Sequence, residues 1–226
     1  MTDCRFGRRE FLGGVMGAAT WGSSMKLSDA PVVHHETPDA GGAPPAPRSA
    51  PRIRFAVIGL NHGHIYGQTE AVLRGGGELV AVYAKEPDLL AAYQKQFPQA
   101  KTARSEQEIL EDTSLQLVVS AAIPDERAPL GIRVMKHGKD YMSDKPGITT
   151  LEQLAEVRRV QAETRRIYSI MYSERLENRA TVRAGELVKA GAIGKVVQTI
   201  GLGPHRINPK SRPAWFWDRM RYGGIL

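Results

Sequence analysis

The sequence predicts an α/β fold: a doubly wound parallel sheet over residues 52–172, followed over 173–226 by the start of a second, open-sheet α/β domain. Short β-branched apolar runs alternate with helical stretches of about ten residues, the order that a right-handed βαβ series requires. The first run ends in a glycine turn that leads directly into a helical pattern.

Each element has a local reason. Arg52-Ile-Arg-Phe-Ala-Val-Ile-Gly59 reads as a strand buried on both faces. A helix over 64–74 should stop at Gly75-Gly76-Gly77, because glycine takes left-handed conformations without steric cost. Residues 78–83 form the next strand. Pro87 suits the first turn of a helix over 87–97, and Ser105-Glu-Gln-Glu108 has capping-box spacing before a short helix. Residues 115–121 read as a strand, 129–137 as a helix ended by Gly138, and 140–144 as a strand. Thr149-Thr-Leu-Glu152 again has capping-box spacing before a helix to about residue 164, and a strand over 167–172 closes the series.

Composition narrows the function classes. With 42% hydrophobic, 24% charged and 7% aromatic residues, the 226-residue chain has the mixture of a globular protein with a sizeable core. No apolar run reaches the ~20 residues that a membrane-spanning helix needs. The formal charge of +7 is spread over faces where bases and acids interleave, as in Glu152-Gln-Leu-Ala-Glu-Val-Arg-Arg159, so no nucleic-acid partner is expected. Cys4 is the only cysteine, which excludes an intramolecular disulfide and a cysteine-based metal site.

Arg8-Arg9-Glu10-Phe11-Leu12 and the weakly apolar stretch after it resemble a twin-arginine (Tat) export signal. Residues 1–30 are read as that signal. Residues 31–51, rich in Pro, Ala, Gly and Ser, are read as a linker that cannot offset the entropy of ordering itself. His34-His35 lies inside it with no scaffold to fix a metal. The resemblance implies export of the folded protein by the Tat machinery to the periplasm or beyond.

A doubly wound sheet binds ligands at the carboxyl ends of its strands, so the turns after Gly59, Tyr83, Ala122 and Asp144 are the candidates. In Gly59-Leu-Asn-His-Gly-His-Ile-Tyr-Gly67 the G-x-G-x-x-G fingerprint places Asn61 at the second glycine and His64 at the third. The backbone from Gly59 through Asn61, His62, Gly63 and His64 can approach a pyrophosphate at a helix N-terminus. His62 and His64 are metal-ligand types, but no third ligand is near them in sequence, and no metal is expected. Tyr83-Ala84-Lys85-Glu86 lacks an acid at the strand end for the ribose diol, and Lys85 suits a 2′-phosphate, so NAD and NADP both stay open.

Gly138-Lys-Asp-Tyr-Met-Ser-Asp144-Lys145-Pro146 resembles the G-K-H-V-x-x-E-K-P segment of the Gfo/Idh/MocA family, with Asp144 in place of the usual Glu. Ala122-Ile123-Pro124-Asp125 resembles its T-P-N turn, with Ala128 where a His often sits. Tyr172-Ser-Glu-Arg175 resembles the lead into its second domain, and Gly191-Ala-Ile-Gly194-Lys-Val its G-x-I-G-x-V turn. The order of these motifs, from residue 52 to 226, is more specific than any one of them.

The resemblance implies a Rossmann-type domain in which Ala84, Lys85, Ala122, Ile123, Pro124, Asp144, Lys145 and Pro146 surround NAD or NADP. It makes Lys145 the catalytic residue, between the nicotinamide ribose and the hydroxyl of a sugar or polyol, where an ammonium or amine can orient the oxygen and relay its proton. In the second domain it implies a helix over 178–190 and a sheet strand over 195–202. Arg175, His205, Arg206, Trp215 and Trp217 would line the substrate cleft, since aromatic faces stack on sugar rings and arginine grips carboxylates or phosphates. Gly223-Gly224-Ile-Leu226 resembles the opening of a G-G-G-x-L-x-D-x-G-x-H segment, which implies that the second domain is incomplete here. Homo-oligomerisation of the full-length protein through that domain is expected. Some exported relatives hydrolyse glycosides by transient oxidation with tightly held NAD, and a dinucleotide-binding product without turnover is a third reading.

Overall fold

Five of the expected strands form: β1 (Ile53–Ile58), β2 (Gly77–Tyr83), β4 (Leu117–Ser120), β5 (Asp140–Asp144) and β6 (Tyr168–Met171). A two-residue edge strand, β3 (Lys101–Thr102), pairs with β2 although no apolar pattern announces it. The computed structural model describes residues 50–201 and 207–224, which belong to one unit, Ser49–Leu226. The twin-arginine segment, His34, His35, His205 and Arg206 lie outside the described residues.

All pairings are parallel, in the order β3-β2-β1-β4-β5-β6. Helices α1 (His64–Arg74), α2 (Pro87–Gln96), α3 (Glu106–Glu111), α4 (Pro124–Lys136) and α5 (Leu151–Thr164) connect the strands. Alternation along β1 divides the core, because successive side chains of a strand point to opposite faces. Phe55 and Val57 pack with Ile65, Tyr93 and Phe97, whereas Ala56 and Ile58 pack with Ile109, Leu130 and Val134. The sheet is thus covered on both sides, as its continuous apolar strands require. Strand order reverses between β1 and β4, and the turns that follow these two strands open the binding crevice.

Two helix starts differ from expectation. Helix α4 begins at Pro124, five residues before the expected start, and carries Pro129 inside it. Proline lacks the N–H that would bond the carbonyl four residues back. That carbonyl, Asp125 O, instead accepts from Gln153 Nε2 on α5 at 3.1 Å, so the cost of an interior proline is met by a neighbouring helix. Helix α5 is capped one residue later than expected: Thr150 Oγ1 accepts from Gln153 N, and Gln153 Oε1 accepts from Thr149 N.

Past β6 come α6 (Ser173–Leu176) and α7 (Arg179–Lys189), the latter capped by Asn178 as its sequence suggests. The expected strand over 195–202 does not form: residues 195–201 carry no strand and are exposed, and Leu202 is outside the described residues. A β segment needs a neighbour to satisfy its backbone groups, and no partner strand lies beside this one among the described residues. Two short 3₁₀ turns (Pro209–Ser211 and Ala214–Trp217) and α8 (Arg219–Tyr222) end the described chain.

Gly59 shows how tightly the first turn is built. Its φ is +84°, and a Cβ there would lie 2.6 Å from Ala122 Cβ and 3.0 Å from Ala122 Cα. Gly59→Ala is expected to cost about 2–4 kcal/mol, from left-handed strain plus overpacking. A shift of the urea midpoint worth less than about 1 kcal/mol would contradict this close approach.

Candidate active site

The first turn is stitched to both neighbouring strands. Gly59 N donates to Tyr83 O (3.0 Å), Ala121 N to Gly59 O (3.1 Å) and His62 N to Ala121 O (3.0 Å). These bonds hold residues 59–64 across the crevice and separate it into two cavities. Helix α1 then starts at His64 with no side-chain cap and no acid in its first turn. Its partial positive charge therefore meets no acid in its own first turn, which suits a dinucleotide pyrophosphate, although the amides of His64, Ile65 and Tyr66 already face His62 Nδ1, His62 O and Gly63 O.

One cavity, of ≈ 380 Å³, lies on the β2 side and is lined by Gly59, Asn61, Ala84, Lys85, Glu86 and Ala122 among others. The acid missing from the strand end is present here after all. Glu86, three residues beyond β2, accepts from Asn61 Nδ2 at 2.8 Å and so sits beside the residue that replaces the second glycine. Asp125 Oδ1, on a residue lining the same cavity, is buried with no hydrogen-bond partner among the described residues. A ribose hydroxyl is a donor of the kind that Asp125 Oδ1 lacks. Lys85, expected to favour a 2′-phosphate, is exposed and lies 3.6 Å from Glu126.

The second cavity, ≈ 320 Å³, lies on the β4–β5 side. Lys145 lines it together with His62, His64, Arg127, Trp215 and Tyr222. The Lys145–Pro146 peptide bond is cis. Pro124 and Pro146 also border this space, while Ile123 caps α4 between the cavities and is buried.

Asp144 anchors the cavity floor. Its side chain is 1% exposed and is reached by four nitrogen atoms: His62 Nδ1 on Oδ2 (3.0 Å), His64 Nδ1 on Oδ1 (2.9 Å), Arg127 Nη2 on Oδ2 (3.3 Å) and its neighbour Lys145 N on Oδ1 (2.8 Å). Burial by itself pushes this carboxyl up, but the hydrogen bonds from His62 and His64 and the Arg127 charge outweigh it. They hold Asp144 well below the usual carboxylate range. Arg127 is equally buried; burial pulls its guanidinium down, and Asp144 opposes that pull. Its remaining N–H groups donate to Ala122 O (2.6 Å) and Pro146 O (3.1 Å), so one side chain ties together the turns after β4 and β5.

The missing third metal-ligand type is therefore found in space, 80 residues from His64. His62, His64 and Asp144 offer ligand atoms within 4.8 Å of one another. Both carboxylate oxygens, however, already accept N–H donors, and Arg127 balances the single negative charge. A dication there would face Arg127 and Lys145 as well, so the arrangement reads as a hydrogen-bond network.

The 207–224 segment closes the second cavity. Arg221 secures it to the first turn of α4, at 2.8 Å from Glu126 and 3.6 Å from Asp125. Its aromatic residues pack together: Phe216 and Tyr222 ring centroids are 4.4 Å apart, and the Arg212 guanidinium carbon lies 4.5 Å above the Phe216 ring. Trp215 lines the cavity, as expected, whereas Trp217 is 56% exposed and does not. In a 3₁₀ turn, residues two apart point in different directions, and only one of the two tryptophans can face inward. Arg175 is exposed on α6 and lines neither cavity.

Sequence reasoning did not single out Arg127, Glu86, Arg212, Phe216 or Tyr222. For Glu86 a signal existed, since it ends the very tetrapeptide inspected for an acid. Arg127 had none: a lone arginine between alanine and glutamate in a helix reads as solvated until burial is known.

Comparisons with known proteins agree with this geometry. Residues 53–172 match the family model for the GFO_IDH_MocA oxidoreductase family with an NAD-binding Rossmann fold. No curated protein matches the chain. A crystal structure from Erwinia carotovora atroseptica, of a protein classed as an oxidoreductase, is 42% identical with a TM-score of 0.75, covering 77% of this chain and 52% of that one. The WlbA dehydrogenase of Chromobactrium violaceum, in complex with NADH and UDP-GlcNAcA, is 19% identical with a TM-score of 0.56, over 63% of this chain and 41% of that one. Biliverdin reductase of Synechocystis, in complex with biliverdin and NADP+, is 18% identical with a TM-score of 0.56, over 76% of this chain and 53% of that one. The last two likenesses concern the fold alone, and the chain spans about half the length of these proteins. The chain belongs to the Gfo/Idh/MocA oxidoreductase family, with its NAD-binding Rossmann fold.

Proposed function

We propose that this chain carries the cofactor and proton-handling half of an NAD-dependent oxidoreductase acting on a sugar, polyol or sugar-derived carbonyl. One observation carries the reading: Lys145, the imidazoles of His62 and His64, and the faces of Trp215 and Tyr222 meet in a single cavity beyond the glycine turn. Bound nicotinamide would supply hydride chemistry there. Lys145 orients the substrate oxygen, aromatic faces give a sugar ring a flat apolar platform, and Arg212 at the rim meets an anionic substituent. The Arg8-Arg9 segment supports export of the folded protein.

The reading is tested by incubating the full chain with NAD+ and a panel of polyols and aldoses while following NADH absorbance. Formation of NADH with at least one polyol is expected. Cleavage of an aryl glycoside without NADH release would replace this reading by the hydrolytic one.

The β2-side cavity supports NAD over NADP. Arg133 is engaged by Glu106 at 2.6 Å and Lys85 by Glu126, which turns both cations toward acids other than Glu86, while Asp125 faces Arg221 at 3.6 Å. A 2′-phosphate near such carboxylates meets repulsion of about 1–2 kcal/mol, so NADP+ is expected to bind about tenfold or more weakly than NAD+. Calorimetric titration checks this, and Glu86→Gln should narrow the gap. Equal affinities in the wild-type chain would refute it.

A further inference from the structure

We propose that His64 accepts the substrate's hydroxyl proton in the Lys145 cavity, with its ring held in one tautomer by Asp144. The inference rests on the hydride-transfer reading and adds to it a base supplied by the dinucleotide-binding domain itself.

Two departures from the family pattern meet at one contact. His64 stands where the fingerprint has its third glycine, and Asp144 stands where the K-P turn has glutamate. In the structure these two residues touch, Nδ1 to Oδ1, at 2.9 Å. A glycine at position 64 would leave a gap above the end of β5, and a glutamate at 144 would extend one methylene into the space that the two imidazoles occupy. The ring and the shorter carboxylate fit each other.

The contact also decides the chemistry. An ionised carboxylate only accepts hydrogen bonds, so the ring nitrogen facing it carries the proton. His62 and His64 each present Nδ1 to a different oxygen of Asp144, and their rings meet edge to face with centroids 4.2 Å apart. In the tautomer that donates Nδ1–H to Asp144, His64 Nε2 keeps a lone pair, whereas His62 Nδ1 also faces the His64 amide N–H at 3.4 Å. Both side chains line the cavity and are 31% and 39% exposed. This is how an aspartate prepares a histidine base elsewhere: it selects the tautomer, orients the ring and stabilises the imidazolium that forms. His64 sits at the first residue of a regular helix, and the Nδ1 of His62 also faces the His64 amide, so His64 is the ring whose tautomer Asp144 selects.

In the step, the alcohol carbon gives a hydride to the nicotinamide of NAD+ and the alcohol oxygen gives its proton to His64 Nε2. A C–H and an O–H bond break, a carbon–oxygen double bond forms, NADH results, and the imidazole becomes imidazolium. Lys145 orients the oxygen. The charged and titratable groups around the ring are Asp144 and Lys145 at the end of β5, Arg127 on α4, His62 in the turn, and Arg212 and Tyr222 from the closing segment.

His64→Gly is the informative variant because it restores the fingerprint glycine, so folding and NAD+ binding should persist. In the full chain it is expected to lower kcat by about 10²–10⁴-fold, to lose the acidic limb of the pH profile of kcat/KM, and to regain part of its rate with free imidazole. Long-range ¹H–¹⁵N correlation on histidine-labelled wild-type chain should show the Nδ1–H tautomer at His64 near neutral pH, and the Nε2–H tautomer gaining population in Asp144→Asn. Wild-type kcat in His64→Gly, a proton on His64 Nε2 in the wild type, or stoichiometric Zn²⁺ binding that displaces both Nδ1 protons would each overturn the proposal. If the wild-type chain forms NADH with no polyol, the hydride reading fails and takes this step with it. A rate lost only in His64→Gly leaves that reading standing and supports the base.

Discussion

Lys145→Met is expected to lower kcat by about 10²–10⁴-fold while leaving NADH affinity nearly unchanged. Lys145 follows the last residue of β5, and its backbone N–H donates to Asp144 Oδ1 at 2.8 Å, so the residue enters the cavity from an anchored position. Methionine preserves length and packing but removes the ammonium that orients the substrate oxygen. Lys145→Arg should remain slow, because a planar guanidinium keeps the charge but cannot set a compact ammonium donor against the substrate oxygen. NADH fluorescence titration and steady-state rates separate binding from turnover. A kcat within tenfold of wild type in Lys145→Met would remove this lysine from the chemistry.

Asp144→Ala carries the largest expected loss of stability, about 3–5 kcal/mol, because it strands the Arg127 guanidinium in the interior. Both side chains are 1% exposed, so solvent cannot replace the lost partner. Denaturant unfolding of the single variant, and of the Arg127→Met/Asp144→Ala double variant, tests the coupling. The double variant should recover part of the loss, since a buried pair replaced by apolar groups is often nearly neutral. A single-variant loss below about 1 kcal/mol would mean that the pair is not the tie between the β4 and β5 turns.

The same residue sets an acid limb. The folded Asp144 carboxyl lies below its ordinary value, so its ionisation contributes stability that is fully present above about pH 4. That contribution is lost as the pH falls from there toward the depressed folded value, because the unfolded chain takes up the proton first. Asp144→Asn should flatten this part of the curve of unfolding free energy against pH.

The fold was legible because its signals are local. Ile53–Ile58 and Gly77–Tyr83 are apolar and β-branched enough to name themselves, and helix His64–Arg74 begins and ends where the glycines around it imply. The start of α4 was not legible, because an interior proline reads as a break until Gln153 is seen to occupy the freed Asp125 carbonyl. The expected strand at 195–202 followed from resemblance rather than local pattern, and without a neighbouring strand residues 195–201 carry none.

Gly59, Asn61, His62 and His64 were reached from the turn pattern, Lys145 from the resemblance and Trp215 from its aromatic character, and these line the cavities, while Arg175 and Trp217 do not. The Asp144-Lys145-Pro146 segment was reached by its resemblance to the family motif, while the order of strands and helices and the candidate turns follow from residue periodicity and short-range turn chemistry, which act over a few neighbours. The pairing of Asp144 with His62, His64 and Arg127, the Glu86–Asn61 contact and the choice of Trp215 over Trp217 do not. They join residues as far apart as His62 and Asp144, 82 positions, or depend on which side of a turn faces inward, and only a folded chain brings such groups within hydrogen-bond distance and out of water.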